Sequence, residues 1–406
     1  MFEQVSRLVG LDGLVVTGLC ERDDELDLEL ELVAVATSCR FCGGRIEVKE
    51  RPRVRVRDLS LSGRRVWLVW RKRRFRCHRC RRSFTETDAR LPSRRRVSAR
   101  FHARLFERLR AGAAQLEVAR EEQTSRYQVE RAFRLGAERE LAARGRPLAR
   151  RLAIDEAAHR RGSKRLVTVV CDPDRRCVVE VLEGRDRRTL ERYLRGLPEA
   201  QRQALEAVSI DPAFAYRQAL RAALPGVAIV LDPFHLVRGA NGALDTVRRE
   251  RQRFRRRRRP ISSEQRQGGF RPHLFHARRR LLKGRERLDE SERRALCELF
   301  QREPLLAEAW GLKERFRAIY RSRDRAEAEH RLELFLAAVE RAAIPSFTAF
   351  ANGLRDWREE LLAYFDQPTT NGYAEGVINK IKLIKRRAYG LPSFDSYRNR
   401  ILVACG

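Results

Sequence analysis

Apolar and polar positions alternate with period two over much of the chain up to about residue 88, clearest in 26–36 (LDLELELVAVA) and 64–75 (RRVWLVWRKRRF). Alternation of this kind predicts half-buried β-strands, and Cys42-Gly43-Gly44 and Ser62-Gly63 supply the turns between them. From about Val97 to Arg144 the spacing becomes helical and the composition polar. Three apolar runs then follow in quick succession, at 152–160 (LAIDEAAHR), 165–174 (RLVTVVCDPD) and 177–185 (CVVEVLEGR), with a helical stretch at 186–197 behind them. Two more strand candidates, 207–214 (AVSIDPAF) and 227–237 (VAIVLDPFHLV), flank the helical 215–224. Strands alternating with helices predict an α/β unit beginning near Leu152. Past His235 the strand signals stop, and 236–365 reads as helices rich in Arg, Glu, Leu and Ala. A basic low-complexity run at 248–269 within it is expected to be a mobile loop or a helix end. The last long helix is expected within 369–394, where Val377, Ile381 and Ile384 share a face and cations fill the others. No internal repeat is visible.

Length and charge sharpen this picture. A chain of 406 residues exceeds one ordinary core, so two or three folded units are expected, and 43% hydrophobic residues suffice to fill them. The formal net charge of +33 and a pI near 11.1 call for a polyanionic partner, of which nucleic acid is the leading candidate. Only eight of the 88 basic residues are lysines, a ratio that looks like GC-rich coding bias. Such bias exchanges Lys for Arg without creating an excess over 55 carboxylates, so the charge argument stands. There is no leader-like N-terminus and no apolar run of about 18 residues, so a soluble cytoplasmic protein without membrane contact is expected.

Four of the nine cysteines form two C-x-x-C units, Cys39/Cys42 and Cys77/Cys80, while Cys20, Cys171, Cys177, Cys297 and Cys405 are scattered. Paired knuckles of this spacing predict a single structural zinc held by four thiolates in a zinc-ribbon-like unit, with a hairpin through Val66 to Trp70 between them. His78 is a competing ligand. The alternatives are two unmetallated turns or thiol exchange, and two matched pairs favour metal.

Around 116–134 the pattern places Val118 and Ala119 on one helix, a turn at Gln123 to Ser125, and a second helix from Tyr127 to Phe133. This suits a helix-turn-helix whose second helix offers Arg126, Gln128 and Arg131 to DNA, although the turn lacks the usual Gly and a plain helical hairpin has the same pattern.

Three acids stand at the ends of apolar runs: Asp155 after Leu152 to Ile154, Asp211 after Val208 to Ile210, and Asp232 after Val227 to Leu231. Any single Asp there is more often a turn or helix cap. Three together, in a very basic chain, suit hard-cation binding, because Mg²⁺ prefers carboxylate oxygens and open sheets place their chemistry at strand ends. Glu375, four residues after Asn371, is the fourth acid, and Lys380, Lys382, Lys385, Arg386 and Arg387 behind it suit a DNA backbone.

The succession AIDEAAHRRG, VSIDPAFAYRQAL, LDPFHLV and TTNGYAEGVINKIKLIKRRAYGLPSF, behind paired C-x-x-C units and a helix-turn-helix, resembles insertion-sequence transposases of the ISL-three family over essentially the whole chain. The resemblance implies a ribonuclease-H-like α/β core with a DDE triad, interrupted by a large helical insertion. Carried over position by position, the triad is Asp155, Asp211 and Glu375, with Asp232 the alternative second acid and His235 in a supporting role; strand order favours Asp211. Pro212 and Pro233, each directly after an acid, depart from the family pattern.

The resulting scheme is a zinc-ribbon-like domain at 1–92, a helix-turn-helix segment at 93–150, the first part of the catalytic core at 151–238, an Arg-rich helical insertion at 239–365, and the rest of the core at 366–406. The implied function is metal-dependent cleavage and transfer of DNA strands at inverted-repeat ends, using Mg²⁺ or Mn²⁺ in pairs and a homodimer or larger assembly on double-stranded DNA. A DNA-binding regulator, or a nuclease without strand transfer, is the alternative.

Overall fold

A computed structural model of the chain describes residues 6, 9–92, 96–145, 148–159, 166–258, 273–389, 391 and 393–406. It divides into two compact units: Met1–Gly145 with Leu383–Ala404, and Arg146–Lys382 with Cys405–Gly406.

The first unit contains two small sheets. Strands β1 (Leu14–Glu21), β2 (Glu25–Leu32), β4 (Arg53–Arg57) and β5 (Arg65–Arg71) form a four-stranded sheet in the order β1-β2-β5-β4. Its alternation works as expected: Leu26, Leu28 and Leu30 are buried with Val56, Leu68 and Trp70, while the residues between them face arginines. Arg55 pairs with Glu25 and Asp27, and Arg71 with Glu29, a cross-strand charge ladder that uses part of the chain's arginine internally. The strand pattern expected to run to Ala36 ends at Leu32, with no strand at 33–36. Strands β3 (Ile46–Glu50), β6 (Arg74–Cys77) and β7 (Ser83–Thr85) form a separate antiparallel sheet. The strand through Val66 to Trp70 therefore belongs to the four-stranded sheet and not to the cysteine-bearing one, because its apolar residues fill the larger core.

Three helices follow, α1 (Ala99–Arg110), α2 (Gln115–Glu121) and α3 (Arg126–Ala143). Ser98 and Ser125 cap the first and third, their hydroxyls accepting the N–H groups of Phe101 and Gln128. Val118, Val129 and Phe133 pack with Phe101, Leu105 and Leu109. Between α2 and α3 the chain turns through Gln123 at φ 45°, a left-handed residue in the place where a Gly was missing from the sequence pattern. Gly136 permits the close approach of α1 and α3, since a Cβ there would lie 2.3 Å from the Phe106 ring.

The second unit is built on a five-stranded sheet of β8 (Arg151–Ala158), β9 (Leu166–Asp172), β10 (Cys177–Glu183), β11 (Ala207–Ile210) and β12 (Ala228–Leu231), in the order β10-β9-β8-β11-β12. Strand β9 runs antiparallel to both β8 and β10, and β8, β11 and β12 run parallel. Helices α4 (Arg187–Arg195), α5 (Glu199–Ala204) and α6 (Phe214–Ala223) connect them. Next come α7 (Pro233–Arg258), α8 (His273–Leu282), α9 (Glu290–Arg302), α10 (Pro304–Ile319), α11 (Arg325–Ala342), α12 (Pro345–Asp356) and α13 (Arg358–Asp366). One continuous core joins Ile154, Ile210 and Leu231 of the sheet to Leu244, Phe316, Phe335 and Leu361 of these helices. Of the basic low-complexity run, 248–258 ends α7 and the rest lies outside the described residues. The chain closes with α14 (Gly372–Arg387) and α15 (Phe394–Cys405).

Candidate active site

The strand register brings the acids together. Ile154 of β8 pairs with Ile210 of β11, which pairs with Leu231 of β12, so the next residues, Asp155, Asp211 and Asp232, fall side by side on three parallel strands. Neighbouring strands lie about 4.8 Å apart. Asp155 is not at a strand end, since β8 continues to Ala158; Asp211 and Asp232 do follow the last residues of theirs.

The three acids are held differently. Asp232 is 2% exposed and fully engaged. Its Oδ2 accepts the backbone N–H of His235 at 3.1 Å, which caps α7, and its Oδ1 accepts the N–H of Asn371 at 3.0 Å. The Nδ1 of His235 lies 2.9 Å from Asp232 Oδ2 and 2.8 Å from Asp211 Oδ1. Held by Asp211 first and then Asp232, the imidazole is pushed up to about 9. The ligand atoms of Asp211, Asp232 and His235 all lie within 4.8 Å of one another, a spacing that can also hold a metal ion. Asp211 is partly exposed, with Oδ1 held by His235 and by Asn371 Nδ2 at 3.2 Å. Asp155 Oδ1 accepts the N–H of Glu156 at 2.6 Å. Among the described residues no donor reaches the remaining oxygen of Asp155 or Asp211. Burial, reinforced by the charge of Asp211, pushes the Asp155 carboxyl up to about 6.

Asn371 is the residue that sequence reading passed over, noting it only as a marker four places before Glu375. It is 1% exposed and reaches all three strands, through its N–H to Asp232 and its side-chain amide to Ile154 O at 3.0 Å and to Asp211. Its Oδ1 is buried without a hydrogen-bond partner among the described residues. A polar residue directly before a helix reads as a cap, and its carbonyl does accept the N–H of Glu375 at 2.8 Å; its side chain is spent on the strands instead. Glu375, in the first turn of α14, is exposed and makes no ion pair among the described residues. Behind it Lys380, Lys382, Arg386 and Arg387 are exposed and Lys385 half-buried, with Val377 and Ile381 buried and Ile384 half-buried. On α3, Arg126 is exposed and Gln128 and Arg131 are half-buried.

The four paired cysteines converge. Cys39 Sγ lies 3.7 Å from Cys80 Sγ and Cys42 Sγ 3.5 Å from Cys77 Sγ, all four within 4.8 Å of one another. Sulfurs at the corners of a tetrahedron around zinc stand about 3.8 Å apart, so the set fits the ion. The N–H of Cys80 donates to the Cys77 sulfur and holds its thiol down, toward the thiolate that binds metal, while burial and the neighbouring sulfurs push the Cys80 thiol up. Gly44 is required here, because a Cβ would stand 2.9 Å from Arg79 and 3.4 Å from two of the sulfurs. His78 lies outside the set and faces Glu47 at 3.3 Å, so it does not compete as a ligand. Among the described residues, no helix is long and apolar enough to cross a membrane.

Comparison with known proteins agrees with this arrangement. Residues 152–401 match a transposase family model of the ISL3 DDE type, and residues 36–80 match the zinc finger of the IS204/IS1001/IS1096/IS1165 transposases. The chain is 30% identical over 367 residues to the transposase of insertion sequence element IS1001 from Bordetella parapertussis, covering 90% of this chain and 88% of that one. It is also 29% identical over 259 residues to the IS1557 transposase of Mycobacterium tuberculosis, covering 60% of this chain and 57% of that one. With the zinc finger, the acid-bearing sheet and the C-terminal helix all inside these matches, the chain belongs to the ISL3 family of insertion-sequence transposases.

Proposed function

We propose that this transposase binds the inverted-repeat ends of its element, cuts DNA there and joins the freed strand to a target, with Asp155, Asp211 and Glu375 as the metal-binding triad. The observation that carries this reading is the clamp at Asn371. It ties the middle of β8 and the ends of β11 and β12 to the residue from which the Glu375 helix starts.

Asp155 and Asp211 each keep an oxygen without a donor, whereas both oxygens of Asp232 are committed to His235 and Asn371. We therefore assign Asp232 and His235 to orienting Asp211. The donor set is hard oxygen, and the cost of a carboxylate that is buried and has a second one beside it, read in the raised Asp155, is what a divalent cation relieves. Mg²⁺ or Mn²⁺ ions, bound in pairs, would activate the attacking oxygen and stabilise the leaving one. Asp155 and Asp211 would hold them from the sheet and Glu375 from its helix.

The five-stranded sheet, three antiparallel strands extended by two parallel ones and followed by a long helical segment before α14, is read as a ribonuclease-H-like core with an insertion. Helices α2 and α3 are read as a helix-turn-helix, with Arg126, Gln128 and Arg131 toward DNA, and the basic residues from Lys380 to Arg387 as backbone contacts. The zinc unit (1–92), the helical segment (93–150), the two core parts (151–238 and 366–406) and the insertion (239–365) are the corresponding domains. Joining two element ends calls for a homodimer or larger assembly.

The test is the double variant Asp155→Asn with Glu375→Gln on duplex DNA carrying the element's end, in Mg²⁺. Retained binding with cleavage gone is the expected result. Cleavage that persists refutes the triad. Wild-type binding without any cleavage favours a DNA-binding regulator, and cleavage without joining a nuclease.

A further inference from the structure

Helices α6 and α7 begin just after two of the site acids, in the segments Asp211-Pro-Ala-Phe and Asp232-Pro-Phe. Each places a phenylalanine in the first turn, and both rings face solvent, Phe214 at 52% and Phe234 at 50% exposed. Scattered exposed apolar residues are ordinary on a protein surface. What separates these two is their backing. Phe214 packs on Trp357, with ring centroids 5.0 Å apart, and Arg217 lies over both rings, so it is part of a local cluster.

Phe234 has no such cluster among the described residues. Its ring meets His235 edge-on at 5.7 Å, and His235 is the side chain that bridges Asp211 and Asp232. One helical turn on, the exposed guanidinium of Arg238 lies 6.0 Å from the Phe234 centroid. An exposed aromatic face, a cation beside it and a carboxylate cluster behind it thus occupy the first turns of one helix.

We propose that Phe234 and Arg238 form a stacking site for one unpaired nucleobase next to the phosphodiester that is cut, the ring taking the base and the guanidinium the adjoining phosphate. The inference rests on the reading of Asp155, Asp211 and Glu375 as a DNA-cutting centre. Unstacking a base beside the cut carries a cost that a surface aromatic offsets. Stacking is tolerant of sequence because every base has a π-face.

The experiment uses the full-length, zinc-loaded chain in Mg²⁺ with two oligonucleotides: a fully paired duplex carrying the element's end, and the same duplex with the nucleotides beside the cut mismatched. Phe234→Ala is expected to cut the paired duplex roughly ten- to a hundred-fold more slowly, in line with the loss of one base–aromatic stack, but to cut the mismatched duplex within about threefold of wild type. Phe234→Trp should cut both like wild type. A 2-aminopurine placed beside the cut should be quenched on binding wild type and not on binding Phe234→Ala. Equal slowing on both duplexes, no slowing on either, or slowing that tracks loss of self-association overturns the proposal. If wild type cuts neither duplex, the cutting reading falls, and the 2-aminopurine signal still decides whether a base stacks at Phe234.

Discussion

Two side chains show how much this fold asks of single residues. Asn371 spends its backbone N–H and its amide on three strands at once, so its truncation removes the amide links to Ile154 and Asp211 and leaves the backbone link to Asp232, without removing any of the acids. Asn371→Ala is expected to lower stability by about 1–3 kcal/mol, the cost of buried acceptors left unpaired. Single-turnover cleavage should fall far more than DNA affinity, because Asn371 is a positioning residue; a variant with wild-type cleavage would remove it from the site. Lys313 is fully buried, and its ammonium donates to the carbonyls of Leu281 and Lys283 at 2.8 and 2.7 Å, satisfying the end of α8, while Glu314 stands 2.6 Å away. Lys313→Met leaves those carbonyls and Glu314 without their cation. We expect a loss of about 1–3 kcal/mol, read as a lower melting temperature with no change in DNA affinity.

Among the elements, the zinc sheet is the least able to stand alone. Its core is only Phe75, Phe84 and the cysteines, with Ile46 partly buried against them, too little apolar area to hold three short strands. Metal supplies what the core lacks. Stripping zinc with a strong chelator should abolish dispersed amide signals from β3, β6 and β7 while the five-stranded sheet keeps its own thermal transition. If those signals survive chelation, the cysteines are not the sheet's main support. By contrast the second unit carries a continuous core running from Leu152 through Phe347 to Leu362, and its helices start on caps such as Asp289 with Glu292, so it has no need of such a staple.

Across the whole molecule the charge of +33 is what remains after extensive internal pairing, as in the ladder of Arg55 and Arg71 with Glu25, Asp27 and Glu29. If six to ten phosphates are neutralised in the DNA complex, affinity for duplex should fall roughly 10³- to 10⁵-fold between 50 and 200 mM salt, and a nearly flat salt dependence would contradict a backbone-dominated contact. The sequence by itself determined the family, the cysteine pairs, the alternation of strands and helices, and the acids at or near the ends of apolar runs, because these are local patterns with fixed period or spacing. It also named His235 as a support. It placed a hairpin through Val66 to Trp70 between the cysteine pairs but not the sheet that hairpin joins, since period two tells which face is buried but not which neighbour covers it. Only the tertiary structure set Asp211 and Asp232 apart, since the two look alike in sequence and differ in how many donors reach them, and the roles proposed for them rest on that difference. It alone gave Asn371 its part, because that residue lies 139, 160 and 217 positions along the chain from Asp232, Asp211 and Ile154, and no local pattern spans such a distance.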